Sequence, residues 1–176
     1  RVELLRELSP KIHSFALLVH SANPNRKTYL KDVDAAAKAL GVEADVKEIT
    51  KKSDFDSAFA AFAQKRVGGV VVTGDPIFTN HQEHLVELAK LHKIPTIYPY
   101  REFALIGGLM SYGPNVIETM HEVGLYAGRL LSGVKPSDLP VVRTTKIELV
   151  INQKTVRSLG LEVPLSMLMR VDEVVE

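Results

Sequence analysis

Residues 54–76 read DFDSAFAAFAQKRVGGVVVTGDP, and the change of period inside this stretch decides the fold class. Phe55, Phe59 and Phe62 recur at helical spacing behind Ser53, a candidate N-cap, so the first half is an amphipathic helix. GGVVVT (68–73) is then an apolar run of strand length, closed by the turn residues Gly74, Asp75 and Pro76. The same unit occurs on either side. FALLVH (15–20) reads as a buried strand closed by SANPN (21–25). Tyr29, Leu30, Val33, Ala36, Ala37 and Leu40 mark a helix with Gly41 placed as its stop, and VEADVKEI (42–49) alternates as a strand. A helix from about Thr79 to His92 buries Leu85, Leu88 and Ala89 before the strand IPTIYP (94–99). Short apolar strands alternating with amphipathic helices require right-handed parallel crossovers. The expected fold is therefore α/β, a three-layer doubly wound parallel sheet covered on both faces.

Outside this core the pattern loosens. RVELLREL (1–8) is a short helix that turns Val2, Leu5 and Leu8, with Leu4, to one side, and Pro10 helps to stop it. YREFALIGG (100–108) is a short helix and LMSYG (109–113) a short strand. From Asn115 to Leu131 a longer helix carries Ile117, Met120, Gly124, Ala127 and Leu131 on one face. SGVKPSDLP (132–140) is a loop, TKIELVI (145–151) a strand, KTVRSLGL (154–161) a short helix, and PLSMLMRVDEVVE (164–176) a tail of helical character.

Composition narrows the function classes. The 176 residues carry a formal net charge of +1 with both signs interspersed, so there is no basic stripe to neutralise a phosphate backbone, and nucleic acid is not an expected partner. The absence of cysteine removes thiolate metal sites and disulfides and leaves the redox compartment open. No apolar run approaches the ~18 residues that span a bilayer. A chain that starts at Arg1 reads as processed or truncated, with any targeting signal in the preceding piece.

In a doubly wound sheet, ligands sit at the carboxyl ends of the strands, which singles out four turns. Asp75 follows one strand directly, and its carboxylate is either a ligand acceptor or a turn residue before Pro76. Asn23 and Asn25 follow another, as turn and helix cap or as the rim of an anion site at a helix N-terminus. Tyr100, Arg101 and Glu102 combine aromatic and charged groups, as a pocket for a small amphipathic ligand requires, although Arg101 can equally pair with a surface carboxylate. Ser111 and Tyr112 form the fourth edge. His81 and His84 flank Glu83 but have neither the spacing nor the order of a His-Glu-x-x-His zinc helix, so no metal is expected there. Glycine-rich phosphate motifs, a P-loop and a nucleophile elbow are all absent, so neither a cofactor nor a catalytic constellation is expected.

Several stretches are more specific than these turns. VELLRELSPK, SANPN, GVVVTGDPIF, IPTIYPYREF, GGLMSYGPN, AGRLLSGVKPSDLPV and TKIELVINQKTVRSLGLEVP occur in this order over nearly the whole chain. Together the chain resembles the substrate-binding proteins of ABC importers of the tryptophan/tyrosine-type group, in the type I periplasmic binding protein fold. The resemblance implies a two-lobed protein, of which residues 1–114 are the core of the second lobe. Residues 115–140 would be a return helix and loop packing on a first lobe that is missing here, and 141–176 a crossover strand and C-terminal helices. It implies a small-molecule ligand, an ABC permease as membrane partner and a periplasmic or otherwise extracytoplasmic location. The ligand-facing set would be Asn23, Asn25, Asp75, Phe78, Tyr100, Arg101, Glu102, Ser111 and Tyr112. Asp75 would hold an ammonium or hydroxyl group, while N–H groups near Asn25 or Arg101 would take a carboxylate. Without the first lobe, Ile117, Met120, Ala127 and Leu131 would be uncovered, and a homodimer through them is expected. Two alternatives come from other classes: a small α/β enzyme using Asp75 or Glu102, with His81 and His84 holding a metal, and the ligand-sensing lobe of a regulator.

Overall fold

A computed structural model of the chain describes residues 1–10, 12–141 and 146–176. In chain order the elements are α1 (Val2–Leu8), β1 (Ser14–His20), α2 (Arg26–Leu40), β2 (Glu43–Ile49), α3 (Asp54–Gln64), β3 (Val70–Val72), α4 (Pro76–Thr79) and α5 (Gln82–Leu91). There follow β4 (Thr96–Tyr98), α6 (Arg101–Leu105), β5 (Met110–Pro114), α7 (Val116–Leu131), β6 (Ile147–Asn152), α8 (Gln153–Ser158), α9 (Leu165–Leu168) and β7 (Glu173–Val175), with one 3-10 turn at Pro136–Asp138.

Among the described residues these strands form one sheet in the order β2-β1-β3-β4-β5-β6-β7. The first five run parallel, β6 is antiparallel to β5, and β7 is parallel to β6. β1 sits between β2 and β3, so the chain winds outward in both directions from it, the doubly wound arrangement expected from the alternation of periods.

The sheet is buried on both faces because its central strands have no polar side. Val70 and Val72 point into one core with Ala16 and Leu18, where α3 and α5 supply Phe55, Phe59, Phe62, Leu85 and Leu88. Val71 points into the other core with Phe15, Leu17 and Val19, covered by Leu4, Leu5 and Leu8 of α1 and by Val33 and Ala37 of α2. The three phenylalanines of α3 are fully buried, each contributing roughly 1.5–3 kcal/mol through removal from water. Gly41 stops α2 in the left-handed conformation, φ +63°, with its N–H returned to Ala37 O and Lys38 O.

Several expectations are corrected. Ser53 stands at the N-cap of α3 but makes no side-chain cap. Asp54 instead folds back, its Oδ2 accepting from the N–H groups of Thr50 at 2.9 Å and Lys51 at 3.0 Å. These bonds hold its carboxyl below the usual range. The helix expected from about Thr79 to His92 is α5, which starts three residues later at Gln82, and a separate short helix, α4, precedes it at Pro76–Thr79. The tail is not wholly helical: after α9 it forms β7, because Val174 and Val175 complete the far edge of the sheet beside Ile151 and Asn152. Thr145, placed in a strand by the sequence, lies outside the described residues; the strand runs Ile147–Asn152.

β4 and β5 approach so closely that Gly113 has no room for a side chain; an added Cβ would lie 1.8 Å from Pro99 O. Gly113→Ala is therefore expected to cost at least the upper part of the ~1–3 kcal/mol typical of overpacking. Urea denaturation measures it, and an unchanged midpoint would refute the close approach.

Candidate functional site

The carboxyl ends of β1, β3, β4 and β5 lie along one edge of the sheet, and the turns leaving the first three bring Asn23, Asp75, Tyr100 and Glu102 together. Asp75 is held most tightly. It caps α4, with Oδ1 accepting from Ile77 N–H at 3.1 Å, while Pro76 fills the first helical position, where a missing N–H has no cost. His20 Nδ1 lies 3.1 Å from the same oxygen, and the Asn23 amide donates to Oδ2 at 2.8 Å and to Gly74 O at 3.3 Å. Asn23 in turn accepts the N–H of Asn25 at 2.8 Å, closing its own turn. The carboxylate is 8% exposed. Of roughly four lone-pair directions on its two oxygens, three are occupied and one on Oδ2 is left.

Beside Asp75 opens a cavity of about 390 Å³ walled by Gly74, Asp75, Gln82, Tyr100, Glu102 and Val116. Tyr100 supplies an aromatic wall, and Gly74 leaves it space, since a Cβ there would lie 3.0 Å from the Tyr100 hydroxyl oxygen. Glu102 is half-buried in the first turn of α6, where the helix dipole favours its charge. Two carboxylates next to an aromatic ring make this cavity suited to a cation, and poorly suited to an anion.

The remaining expected residues lie elsewhere. Phe78 is fully buried in the core, its ring 5.9 Å from that of Phe55. Ser111 is 1% exposed within β5, whereas Tyr112 faces out at 38%. Arg101 reaches across to β7, its Nη2 donating to Glu173 Oε2 at 2.6 Å, so its charge is committed to tying the last strand to α6. Asn25 is exposed at the start of α2 and makes no side-chain cap. His84 pairs with Asp56 at 3.1 Å, and His81 and His84, both half-buried, lie with their rings beside Phe55, at 6.0 and 6.2 Å between centroids. Among the described residues no three His, Asp, Glu or Cys side chains are grouped as metal ligands.

Two residues of this edge were not singled out from the sequence. His20 ends β1 at the same level as Asp75, a position that counting strand ends would have shown. Arg1 had no such signal: its Nε donates to Tyr112 O at 2.8 Å, bringing the guanidinium to the carboxyl end of β5. Burial lowers its pKa from the ordinary arginine value, partly offset by Tyr29, Tyr100 and Tyr112 around it. It remains a cation at any physiological pH, and a less hydrated one.

The family described as ABC transporter substrate binding protein has a model that matches residues 1–175. The chain belongs to this family. As a substrate-binding-protein chain it is 23% identical over 161 residues to the tyrosine-binding protein of Clostridioides difficile, covering 92% of itself and 46% of that protein. Its fold matches an ABC domain of Streptococcus pneumoniae solved with L-Trp, at a TM-score of 0.88 and 24% identity, over 99% of this chain and 60% of that one. It also matches a conserved domain protein of Vibrio cholerae, at 0.87 and 22%, over 98% and 58%. The chain thus spans about half to three-fifths of the length of these relatives.

Asp75 anchors this edge whether or not a ligand is present. Asp75→Ala is expected to cost about 1–3 kcal/mol of stability by removing the α4 cap and stranding the Asn23 amide, while Asp75→Asn, which can still cap, costs less. Denaturation of the ligand-free chain decides: an Asp75→Ala midpoint equal to the parent's would mean that the carboxylate does not organise the loop.

Proposed function

We propose that this chain is one lobe of the solute-binding component of an ABC importer, acting outside the cytoplasmic membrane, not an enzyme, and that it supplies one wall of a cleft for an aromatic amino acid. The observation that carries the reading is the cavity beside Asp75, where two carboxylates and Tyr100 meet at the carboxyl edge of β3 and β4. The ligand ammonium sits between the free lone pair of Asp75 Oδ2 and Glu102, with the ligand ring against Tyr100. Arg1, near Tyr112 on the same edge, is the cation available for the ligand carboxylate, since Arg101 is committed to Glu173. Asn23 and His20 act through Asp75 by fixing its orientation.

The reading extends to α7. Ile117, Met120, Val123 and Leu131 are 57–89% exposed, and Ala127 is exposed with them. The helix has no buried residue although its own face is apolar. Because the relatives are longer, we assign this face to packing on a second lobe, with residues 115–140 forming the return segment between lobes. Closure of the two lobes on the ligand would then present it to a membrane permease. A homodimer through the same residues is the form expected of the chain alone, where nothing else covers the face.

The test uses a chain carrying both lobes. L-tyrosine or L-tryptophan is expected to raise its melting temperature saturably, by an amount equivalent to ~2.7 kcal/mol at a hundred times Kd. Glu102→Gln is expected to weaken binding about tenfold, roughly the 1.4 kcal/mol of a lost charge-assisted contact, and 3-phenylpropionate, which lacks the ammonium, to give no shift. Equal shifts from 3-phenylpropionate, or undiminished affinity in Glu102→Gln, would remove the ammonium site; silence from every amino acid would remove the ligand class.

A further inference from the structure

The opposite edge of the sheet carries a second cavity that the cleft reading does not use. It is larger, about 550 Å³, and opens where β4 and β5 begin and β6 ends. Val86, Ile94, Leu105 and Ile106 give it apolar walls, and Lys90, Lys93 and Lys154 stand around it. No carboxylate forms an ion pair with any of these three lysines among the described residues. Glu176 is the acidic residue of the lining. The turn from α6 into β5 makes space for one cation: Gly107 has φ +100°, and a Cβ there would overlap the Lys90 ammonium group.

The floor holds an independent signal. Tyr98 is fully buried, stacked on Phe103 with centroids 4.6 Å apart, and its hydroxyl has no hydrogen-bond partner. Its polar neighbours spend their donors elsewhere, and Thr96 is the side chain near enough to act on the phenol without forming a hydrogen bond of proper geometry. Thr96 donates to Ile94 O at 3.0 Å, Asn152 to Ala104 O at 3.0 Å, and the Thr155 hydroxyl to Gly107 O at 2.8 Å. Burial raises the phenol's pKa, with Thr96 offsetting this in part, so the group is a proton donor throughout the physiological range. A buried donor left unbonded is costly and rare, and it calls for an acceptor.

We propose that this cavity is a second binding site, specific for a small organic anion with an apolar body, distinct from the cleft on the far edge. The apolar walls take the body, the lysines take the carboxylate, and the Tyr98 hydroxyl donates to an acceptor on the buried end of the ligand. Three lysines against the one acidic residue, Glu176, give the pocket a net positive lining, which selects against zwitterionic amino acids by charge more than by shape. The site is therefore complementary in charge to the acidic cavity beside Asp75, and the two would sort anionic and cationic ends of different small molecules.

The probe is 4-fluorobenzoate, titrated into the isotope-labelled chain with amide chemical shifts as the readout. Saturable shifts are expected at Gly107, Gly108 and Thr155, and about a tenfold loss of affinity in the double variant Lys90→Gln/Lys154→Gln, as the removal of charge-assisted contacts requires. Both lysines are surface residues whose loss leaves the core intact. Tyr98→Phe deletes only the unbonded hydroxyl; it is expected to keep or raise the melting temperature and to weaken the probe. Shifts confined to Gly74 and Tyr100, equal affinity for the neutral 4-fluorobenzamide, or undiminished binding in the double lysine variant would each overturn the proposal. Because these readouts report the edge opposite the cleft, they stand or fall independently of the amino-acid reading.

Discussion

Val70, Val71 and Val72 face water on neither side, and that constraint organises the molecule. A strand with apolar residues in both directions must be covered by a layer on each face, here α3 and α5 against Val70 and Val72, and α1 and α2 against Val71. Helices on both faces force crossover connections, and crossovers make the strands parallel. Parallel strands leave all their carboxyl ends on one edge. The polar turn residues Asn23, Asp75 and Glu102 gather there because no other part of the core-facing chain can hold them.

The two edges of the sheet differ in chemistry for a related reason. At the carboxyl edge, turns run from strand into helix, so carboxylates and amides are favoured by the free N–H groups they meet, as Asp75 is by Ile77. At the amino edge, helices end and strands begin. Cations such as Lys90 at the end of α5 suit the negative pole of the helix. That polarity accounts for Asp75 on one edge and Lys90 on the other, but not for Lys154, which stands in the first turn of α8 because β6 runs antiparallel and α8 starts at this edge.

Much of the architecture was legible because it depends on period alone. The helical spacing of the α3 phenylalanines, the run of valines in β3 and the glycine stop of α2 each mark a local state that the tertiary fold preserves. What escaped was non-local. Glu173-Val174-Val175 is too short to announce a strand, and becomes β7 only because β6 leaves an edge beside it. Ser53 makes no cap, and the carboxylate beside it, Asp54, ties down the turn before the helix through the N–H groups of Thr50 and Lys51. The short helix α4 also escaped, since four residues beginning with Pro76 carry no helical period of their own.

The candidate site divides along the same line. The sequence by itself determined that Asp75, Tyr100 and Glu102 follow strands, because strand and turn are local properties of residue type. It could not say that Arg101 is committed to Glu173, that Phe78 points into the core, or that Arg1 and His20 join the edge. Those outcomes depend on strand order, with β1 lying beside β3 and β6 bringing β7 within reach of α6, and strand order comes from packing between segments many residues apart. Residue chemistry set which groups were available at the edge; tertiary packing decided which of them remained free to meet a ligand.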